Sequence, residues 1–239
     1  MNRYIPNQHG AWAMLLMPFL LGMSAAGAVL VHIPLFLCWL VMYLFSFPVL
    51  QWIKTGKKER YLKPSLLYGL MLVPLAATVA LSEPKLIGYG ALLLILFAIP
   101  ARYAKAKNER ALLNDIVAIL LFCSFIYPVV YVGAGSEADW TQTTQLFLLI
   151  GLYFIGTALY VKTVIREKKN PRYYQASITY HVLLIPFAVW LSLPLAAAFS
   201  LLLMRAILLP KLKLNVKHTG MVEIGFALTL YLFVMLAYL

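Results

Sequence analysis

Long apolar stretches separated by short charged segments dominate the pattern of this 239-residue chain. The first uncharged stretch runs from residue 5 to residue 53, and at about 1.5 Å per residue it is too long for one bilayer crossing. We expect it to fold back at residues 32–34 (His-Ile-Pro), and Pro, Gly or charged residues interrupt the later stretches. The pattern predicts nine spanning helices, at residues 11–31, 34–53, 64–82, 85–101, 112–133, 143–162, 175–192, 194–210 and 219–238.

Composition supports the same class of protein. The chain is 63% hydrophobic and 12% charged, whereas soluble domains are about half apolar and about a quarter charged. This balance excludes a typical soluble enzyme, a disordered tail and a nucleic-acid binder. We expect one integral membrane domain over residues 1–239, an all-α polytopic bundle whose outer surface contacts membrane lipid.

The chain carries a net charge of +12. Because basic residues lie outside the bilayer core, their positions test the count of nine spans. With nine spans, every base except Lys85 falls on one side: Arg3 and the bases of segments 54–63, 102–110, 162–172 and 205–217. Cytoplasmic loops carry the excess of Lys and Arg. The sequence therefore predicts a cytoplasmic N-terminus and a C-terminus on the outside.

Polar residues also occur inside the predicted helices, near their cytoplasmic ends. Asn114 and Asp115 lie about one turn into the fifth span, and Glu223 lies one turn into the last. Helical spacing places Tyr153, Thr157 and Tyr160 on one face, and Tyr174, Ser177 and His181 on another. Ionisable groups in membrane helices usually face the bundle interior with a partner. One interpretation is a net-positive cavity that opens to the cytoplasm; the other is hydrogen bonding between helices.

The N-terminal segment is a separate candidate. Gln8, His9 and Trp12 place an amide, an imidazole and an indole at the mouth of the first span. This group forms either a functional motif or part of the aromatic belt at the membrane surface.

Residues 7–14 (Asn-Gln-His-Gly-Ala-Trp-Ala-Met), with Asn108-Glu-Arg110, Asn114-Asp115 and Lys162…Arg166-Glu167, resemble the YwiC-like family of bacterial membrane proteins. The resemblance covers essentially the whole chain and implies a bacterial cytoplasmic membrane protein, but it carries no assigned activity. Tyr103-Ala-Lys105…Asn114-Asp115 and Lys162…Glu167…Tyr174 are distantly similar to connections in the UbiA-type prenyltransferases. That likeness implies a nine-span layout with a cavity at the cytoplasmic helix ends.

The chain departs from the second family where Asp-rich motifs would hold Mg²⁺. Residues 54–60 (Lys-Thr-Gly-Lys-Lys-Glu-Arg) contain no Asp, and the loop after the sixth span offers only Glu167. Because Mg²⁺ takes oxygen ligands, usually with one or two carboxylates, we predict no metal site and no other cofactor is evident. Bases in this position can instead contact an anion directly.

The leading hypothesis is a UbiA-like protein that binds, and transfers or modifies, an anionic prenyl or lipid-like substrate in a basic cytoplasm-facing cavity. The alternatives are a transporter of a small molecule or lipid, and a non-catalytic subunit of a membrane complex, so that enzymatic activity stays open. Asp115, Glu167 and His181 are the candidates for proton transfer. The candidates for binding the head group are Arg60, Lys105, Arg110, Asn114, Lys162, Arg166 and Tyr174.

Overall fold

A computed structural model describes residues 4–6, 9–212 and 215–238, and these residues form helices and turns without a β-strand. The α-helices are α1 (His9–Ala26), α2 (His32–Thr55), α3 (Lys58–Ser82), α4 (Leu86–Lys105), α5 (Leu112–Cys123), α6 (Ile126–Ala134), α7 (Trp140–Ile165), α8 (Pro171–Leu191), α9 (Leu193–Leu208) and α10 (Val216–Tyr238). Short 3₁₀ turns follow α6 (Gly135–Glu137) and α9 (Leu209–Leu212).

The helices have the length and apolar composition of membrane spans. Within the described ranges, 8 helices qualify when α5 and α6 are taken together as Leu112–Glu137. The remaining helix, α1, has 18 residues and a length of about 27 Å, close to the lower limit for a crossing. The predicted all-α membrane fold is thus confirmed, and the ninth crossing depends on α1.

The first turn lies earlier than predicted. α1 ends at Ala26, and α2 already begins at His32. Gly27 has a φ of 83°, a left-handed conformation that glycine adopts without steric cost and that ends the first helix. Pro34 falls in the first turn of α2, where a missing backbone N–H is tolerated. Residues 32–34 therefore start a helix rather than forming the turn.

The fifth predicted span contains a local tightening of the helix. Phe125 N donates to Phe122 O at 3.2 Å, and Tyr127 N donates to Ser124 O at 3.1 Å, so these bonds span three residues instead of four. Pro128 has no N–H to offer the carbonyl of Ser124, which explains why the regular ladder is interrupted just before it. α5 and α6 are consequently two helices within one predicted span.

The chain divides into two compact units, residues 1–8 with 14–148 and residues 9–13 with 149–239. In the first unit α2 packs along α3 and α4, and α4 packs against α5. Its core is aromatic: the rings of Trp39 and Phe125 stack with centroids 4.1 Å apart and planes 6° apart. A Cβ on Gly22 would lie 2.8 Å from a methyl carbon of Val129, so this glycine permits α1 to approach α6 closely.

In the second unit α9 packs between α8 and α10. α8 and α9 are joined only by Ser192, whose Oγ accepts a hydrogen bond from Leu195 N at 3.4 Å and caps α9. The Tyr174 hydroxyl near the start of α8 donates to Ile207 O near the end of α9 at 3.0 Å. The two helices therefore run antiparallel, and these two termini lie at the same end of the unit.

Candidate functional site

A buried arginine lies at the centre of the second unit. Arg205 belongs to the last turn of α9, yet its side chain is only 1% exposed and is among the largest fully buried side chains in the described residues. Its Nη1 donates to Glu223 Oε2 on α10 at 2.6 Å. Nη1 and Nη2 also approach Thr157 Oγ1 on α7 at 3.4 Å and 3.3 Å. One guanidinium therefore connects three helices.

Aromatic rings surround the same guanidinium. Its carbon lies 4.6 Å from the ring centroid of Tyr160, 5.2 Å from that of Phe226 and 5.8 Å from that of Tyr153. A cation at these distances from ring faces is attracted by their electron density, more strongly when water is excluded. We call Tyr153, Thr157, Tyr160, Arg205, Glu223 and Phe226 the Arg205 cluster.

The Arg205 cluster contains polar atoms that make no hydrogen bond to the part of the chain that the structure describes. They are Arg205 Nε, Glu223 Oε1 and the Tyr160 hydroxyl, all buried. An arginine and a carboxylate often pair through two parallel hydrogen bonds, whereas this pair uses one oxygen of the carboxylate. Each buried group that lacks a partner costs about 1–3 kcal/mol, so these three atoms could accept or donate further hydrogen bonds.

On the neighbouring helix α8, His181 is 2% exposed. Its Nδ1 lies 2.7 Å from the carbonyl oxygen of Ser177, which favours the tautomer with the proton on Nδ1 and leaves Nε2 as the acceptor. A Cβ on Gly156 of α7 would lie 3.1 Å from Nε2. Gly156 therefore allows the imidazole to pack directly on α7, next to the residue that contacts Arg205.

The other predicted residues of the second unit lie nearer the loop between α7 and α8. Lys162 is buried three residues before the end of α7, and Arg166 is exposed. Glu167 Oε2 accepts a hydrogen bond from Asn170 Nδ2 at 3.0 Å. His181 lies ten residues into α8, roughly 15 Å along the helix axis, so Glu167 and His181 are not brought together.

In the first unit, an ion pair between Lys54 and Glu109 joins the end of α2 to the loop between α4 and α5. The two basic segments at residues 54–63 and 102–110 therefore lie at one end of the unit, and Arg60, Lys105 and Arg110 are exposed there. Asn114 Nδ2 donates to Glu109 O at 2.9 Å.

The remaining predicted residues belong to several helices. Asp115 is half-buried in the first turn of α5, in the first unit, whereas Glu167 and His181 belong to the second unit. Trp12 is half-buried in α1. Gln8 and the side chain of His9 lie outside the described residues. Within the described ranges, no three His, Cys, Asp or Glu side chains are placed to hold a metal ion.

In the sequence, Arg205 falls in a basic segment predicted to be cytoplasmic, and Glu223 was expected to face the bundle interior, in a polar cavity or in hydrogen bonds between helices. The structural role of Arg205 was not predicted, because Lys211 and Lys213 follow it and place it at the edge of a basic segment. The available signal was the apolar sequence on both sides of Arg205, Leu201–Met204 and Ala206–Leu209. A charge within such a run requires a partner of opposite sign, and Glu223 was present.

Comparison with known proteins identifies relatives of this chain. The family model described as YwiC-like protein matches residues 5–131. An uncharacterised protein YwiC from Bacillus subtilis (strain 168) is 46% identical over 187 residues, which cover 78% of this chain and 77% of the relative. An uncharacterised protein from Haemophilus influenzae is 38% identical over 248 residues, covering 99% and 98%. No solved structure matches significantly.

Proposed function

Since the chain belongs to the YwiC-like family and folds into helices suited to a bilayer, we propose that it binds an anionic prenyl or lipid-like molecule at the basic ends of its helices. Binding is the core of the proposal, and transfer or modification of the bound molecule is its catalytic extension. The protein would lie in the bacterial cytoplasmic membrane, with its N-terminus inside and its C-terminus outside, as the distribution of bases favours.

The observation that supports this proposal best is the collection of bases at one end of each unit. In the first unit the ion pair of Lys54 with Glu109 holds two basic segments together, with Arg60 and Arg110 exposed. In the second unit the hydrogen bond from Tyr174 to Ile207 sets the basic loop between α7 and α8 beside the end of α9. Arginine at such a surface can donate two hydrogen bonds to a phosphate or carboxylate group.

The apolar surfaces of the same helices suit the tail of such a molecule. On α3 and α4, Leu70, Val73, Leu94 and Ile95 are each about 70% exposed. Since soluble proteins rarely leave wide apolar surfaces open to water, these faces are suited to acyl or isoprenoid chains. A charged head group and an apolar tail can thus be accommodated on one unit.

Binding of a soluble prenyl diphosphate to the detergent-purified protein, measured by calorimetry, tests the proposal. Arg110→Ala should weaken binding about tenfold, the effect of losing a hydrogen bond to a charged group. Lys85→Ala is the matched control, because Lys85 lies at the opposite end of the hairpin of α3 and α4 and should bind within about twofold of the wild type. No binding by the wild type, or equal losses in both variants, would refute the proposal.

The catalytic extension requires a separate measurement. Release of diphosphate from the same compounds is measured with and without added Mg²⁺. The wild type should release more diphosphate than the Arg110→Ala variant. If the protein binds these compounds but neither releases diphosphate nor forms a new prenyl product, its function is limited to binding.

Transport is a second candidate function, and the buried pair of Arg205 and Glu223 favours it. Paired charges within membrane helices commonly mark pathways for ions or substrates. Proteoliposomes containing the protein should then accumulate an anionic substrate faster than empty vesicles, and the Arg205→Gln variant should not. Equal flux in protein-containing and empty vesicles would eliminate this candidate.

A further inference from the structure

We propose that Glu223 occupies, on Arg205, the position that a singly charged phosphate head group takes, and that Glu223 takes up a proton when that head group displaces it. The inference rests on the proposed function and deepens it, because it adds a buried arginine of the second unit to the exposed arginines that bind head groups. It also makes binding of the anion dependent on binding of a proton.

The hydrogen bonds of the pair provide the first argument. Arg205 Nη1 contacts Glu223 Oε2 at 2.6 Å, but Arg205 Nε and Glu223 Oε1 have no hydrogen-bond partner in the described residues. A guanidinium offers donors at Nε and at both terminal nitrogens. A phosphate group, which presents several oxygens, can accept from two of these nitrogens together, at the edge of Nη1 and Nη2 or at the edge of Nε and Nη2. Glu223 accepts from Nη1 alone.

The Tyr160 hydroxyl provides the second argument. It is buried, it has no hydrogen-bond partner within the described residues, and its ring lies against the guanidinium of Arg205. Together with Arg205 Nε it gives the cluster two donors that Glu223 leaves unused. An oxyanion that presents several oxygens offers more acceptors to this cluster than the one carboxylate oxygen that Glu223 uses.

Charge balance explains why a proton must accompany the anion. Arg205 and Glu223 are 0% and 7% exposed at their side chains, and together they carry no net charge. A second anion would leave an uncompensated negative charge in a site that excludes water, which is strongly unfavourable. If Glu223 binds a proton as the phosphate group pairs with Arg205, the total charge stays at zero and no covalent bond other than the new O–H is formed.

Other titratable groups of the second unit interact with this pair. Tyr153 and Tyr160 of α7 and Arg205 of α9 interact electrostatically with Glu223, and His181 of α8 interacts with Arg205. The tyrosine hydroxyls are neutral at physiological pH. Glu223 is therefore the carboxylate in this group whose charge can offset that of an incoming anion.

The basic end of the second unit provides an approach for the anion. Arg205 lies three residues before the end of α9, and Lys211 follows in the 3₁₀ turn. The loop from α7 to α8 carries Arg166 and Lys168, both exposed, at the same end. Clustered bases raise the local concentration of anions and speed their association.

Two probes of constant charge distinguish a lipid phosphate head group from a free phosphate ester as the bound anion. Short-chain phosphatidylglycerol and dimethyl phosphate each keep one negative charge across the neutral pH range, so any proton exchange belongs to the protein. Calorimetry of detergent-purified protein in buffers of different ionisation enthalpy gives the protons bound per anion. We expect about one proton, with affinity falling about tenfold per pH unit once Glu223 is ionised in the free protein.

Variants test separately the uptake of a proton by Glu223 and the binding of the anion by Arg205. Glu223→Gln should bind the probe without proton uptake and without pH dependence, and the probe should raise its thermal stability. Arg205→Gln should lose at least about tenfold in affinity. If neither variant folds, Tyr160→Phe provides the alternative: it should bind several-fold more weakly while proton uptake remains.

Each outcome has a definite consequence. Binding of phosphatidylglycerol alone identifies a lipid head group, and equal binding of dimethyl phosphate identifies a free phosphate ester; either supports the inference when a proton is taken up. Wild-type binding with no proton uptake overturns the inference and leaves the proposed function intact. Failure of the wild type to bind these probes and prenyl diphosphate alike overturns the proposed function itself.

Discussion

Arg205 Nη1 and Glu223 Oε2 lie 2.6 Å apart in a buried ion pair that ties α9 to α10. Both residues belong to apolar helices, where an isolated charge would be strongly unfavourable. The pair thus makes two otherwise unfavourable residues compatible with a membrane-spanning bundle. It also makes the bundle sensitive to the loss of either partner.

Replacing Arg205 by Met should destabilise the protein by about 3–5 kcal/mol, because Glu223 would remain as an uncompensated buried charge. The double variant Arg205→Met/Glu223→Met should recover much of that loss, since two apolar groups need no partner. Thermal unfolding in detergent measures both effects. Losses that simply add in the double variant would show that the two residues do not act as a pair.

Gly22→Ala should destabilise the first unit, because the new Cβ would lie 2.8 Å from a Val129 methyl carbon and 3.3 Å from Ile126 O. Overpacking of this kind typically costs about 1–3 kcal/mol. Gly88→Ala is the matched control within the same unit, since no atom lies within 4 Å of its added Cβ. A melting temperature that falls equally in both variants would contradict the close approach of α1 and α6.

His32→Phe should also lower the melting temperature, although it keeps the aromatic volume. His32 Nδ1 accepts from Val29 N at 3.0 Å, and Nε2 lies 2.9 Å from Val129 O, to which it donates in this tautomer. Each lost hydrogen bond is worth about 1 kcal/mol, and Val129 O would be left without this partner in a buried position. Phe36→Leu, a change in the same region without loss of a hydrogen bond, provides the comparison. An unchanged stability of His32→Phe would mean that these two bonds contribute nothing.

Cysteine labelling should place Lys168 and Glu137 on opposite sides of the membrane. Both residues are exposed and flank α7, one at each end. In a background in which the buried Cys38 and Cys123 are replaced by Ala, a membrane-impermeant maleimide should label Glu137→Cys in spheroplasts. Lys168→Cys should react only in inverted vesicles. Labelling of both from the same side would refute the proposed orientation.

Much of the fold follows from hydropathy alone, because a bilayer forces backbone hydrogen bonds to be satisfied within helices of fixed length. Local backbone chemistry, and not hydropathy, determines where individual helices end. Gly27 ends α1 before the apolar stretch ends, and Pro128 divides the fifth span although apolar residues continue through it. Neither change alters the average hydropathy on which the predicted boundaries depend.

The site was less predictable than the fold. Helical spacing correctly placed Tyr153, Thr157 and Tyr160 on one face, and all three contact the guanidinium of Arg205. Helical spacing alone does not identify the group that they face, because it relates residues on one helix and not residues on two. Arg205 and Glu223 are 18 residues apart on separate helices, and only packing of α9 against α10 brings them together.

The most direct test of the account is an experimental density map of the protein prepared with a short-chain anionic phospholipid. We predict phosphate density at the basic end of a unit, in contact with a guanidinium, and in contact with Arg205 where Glu223 is displaced. Phospholipid density confined to the apolar flanks of the helices, with no phosphate near Arg60, Arg110, Arg166 or Arg205, would contradict it.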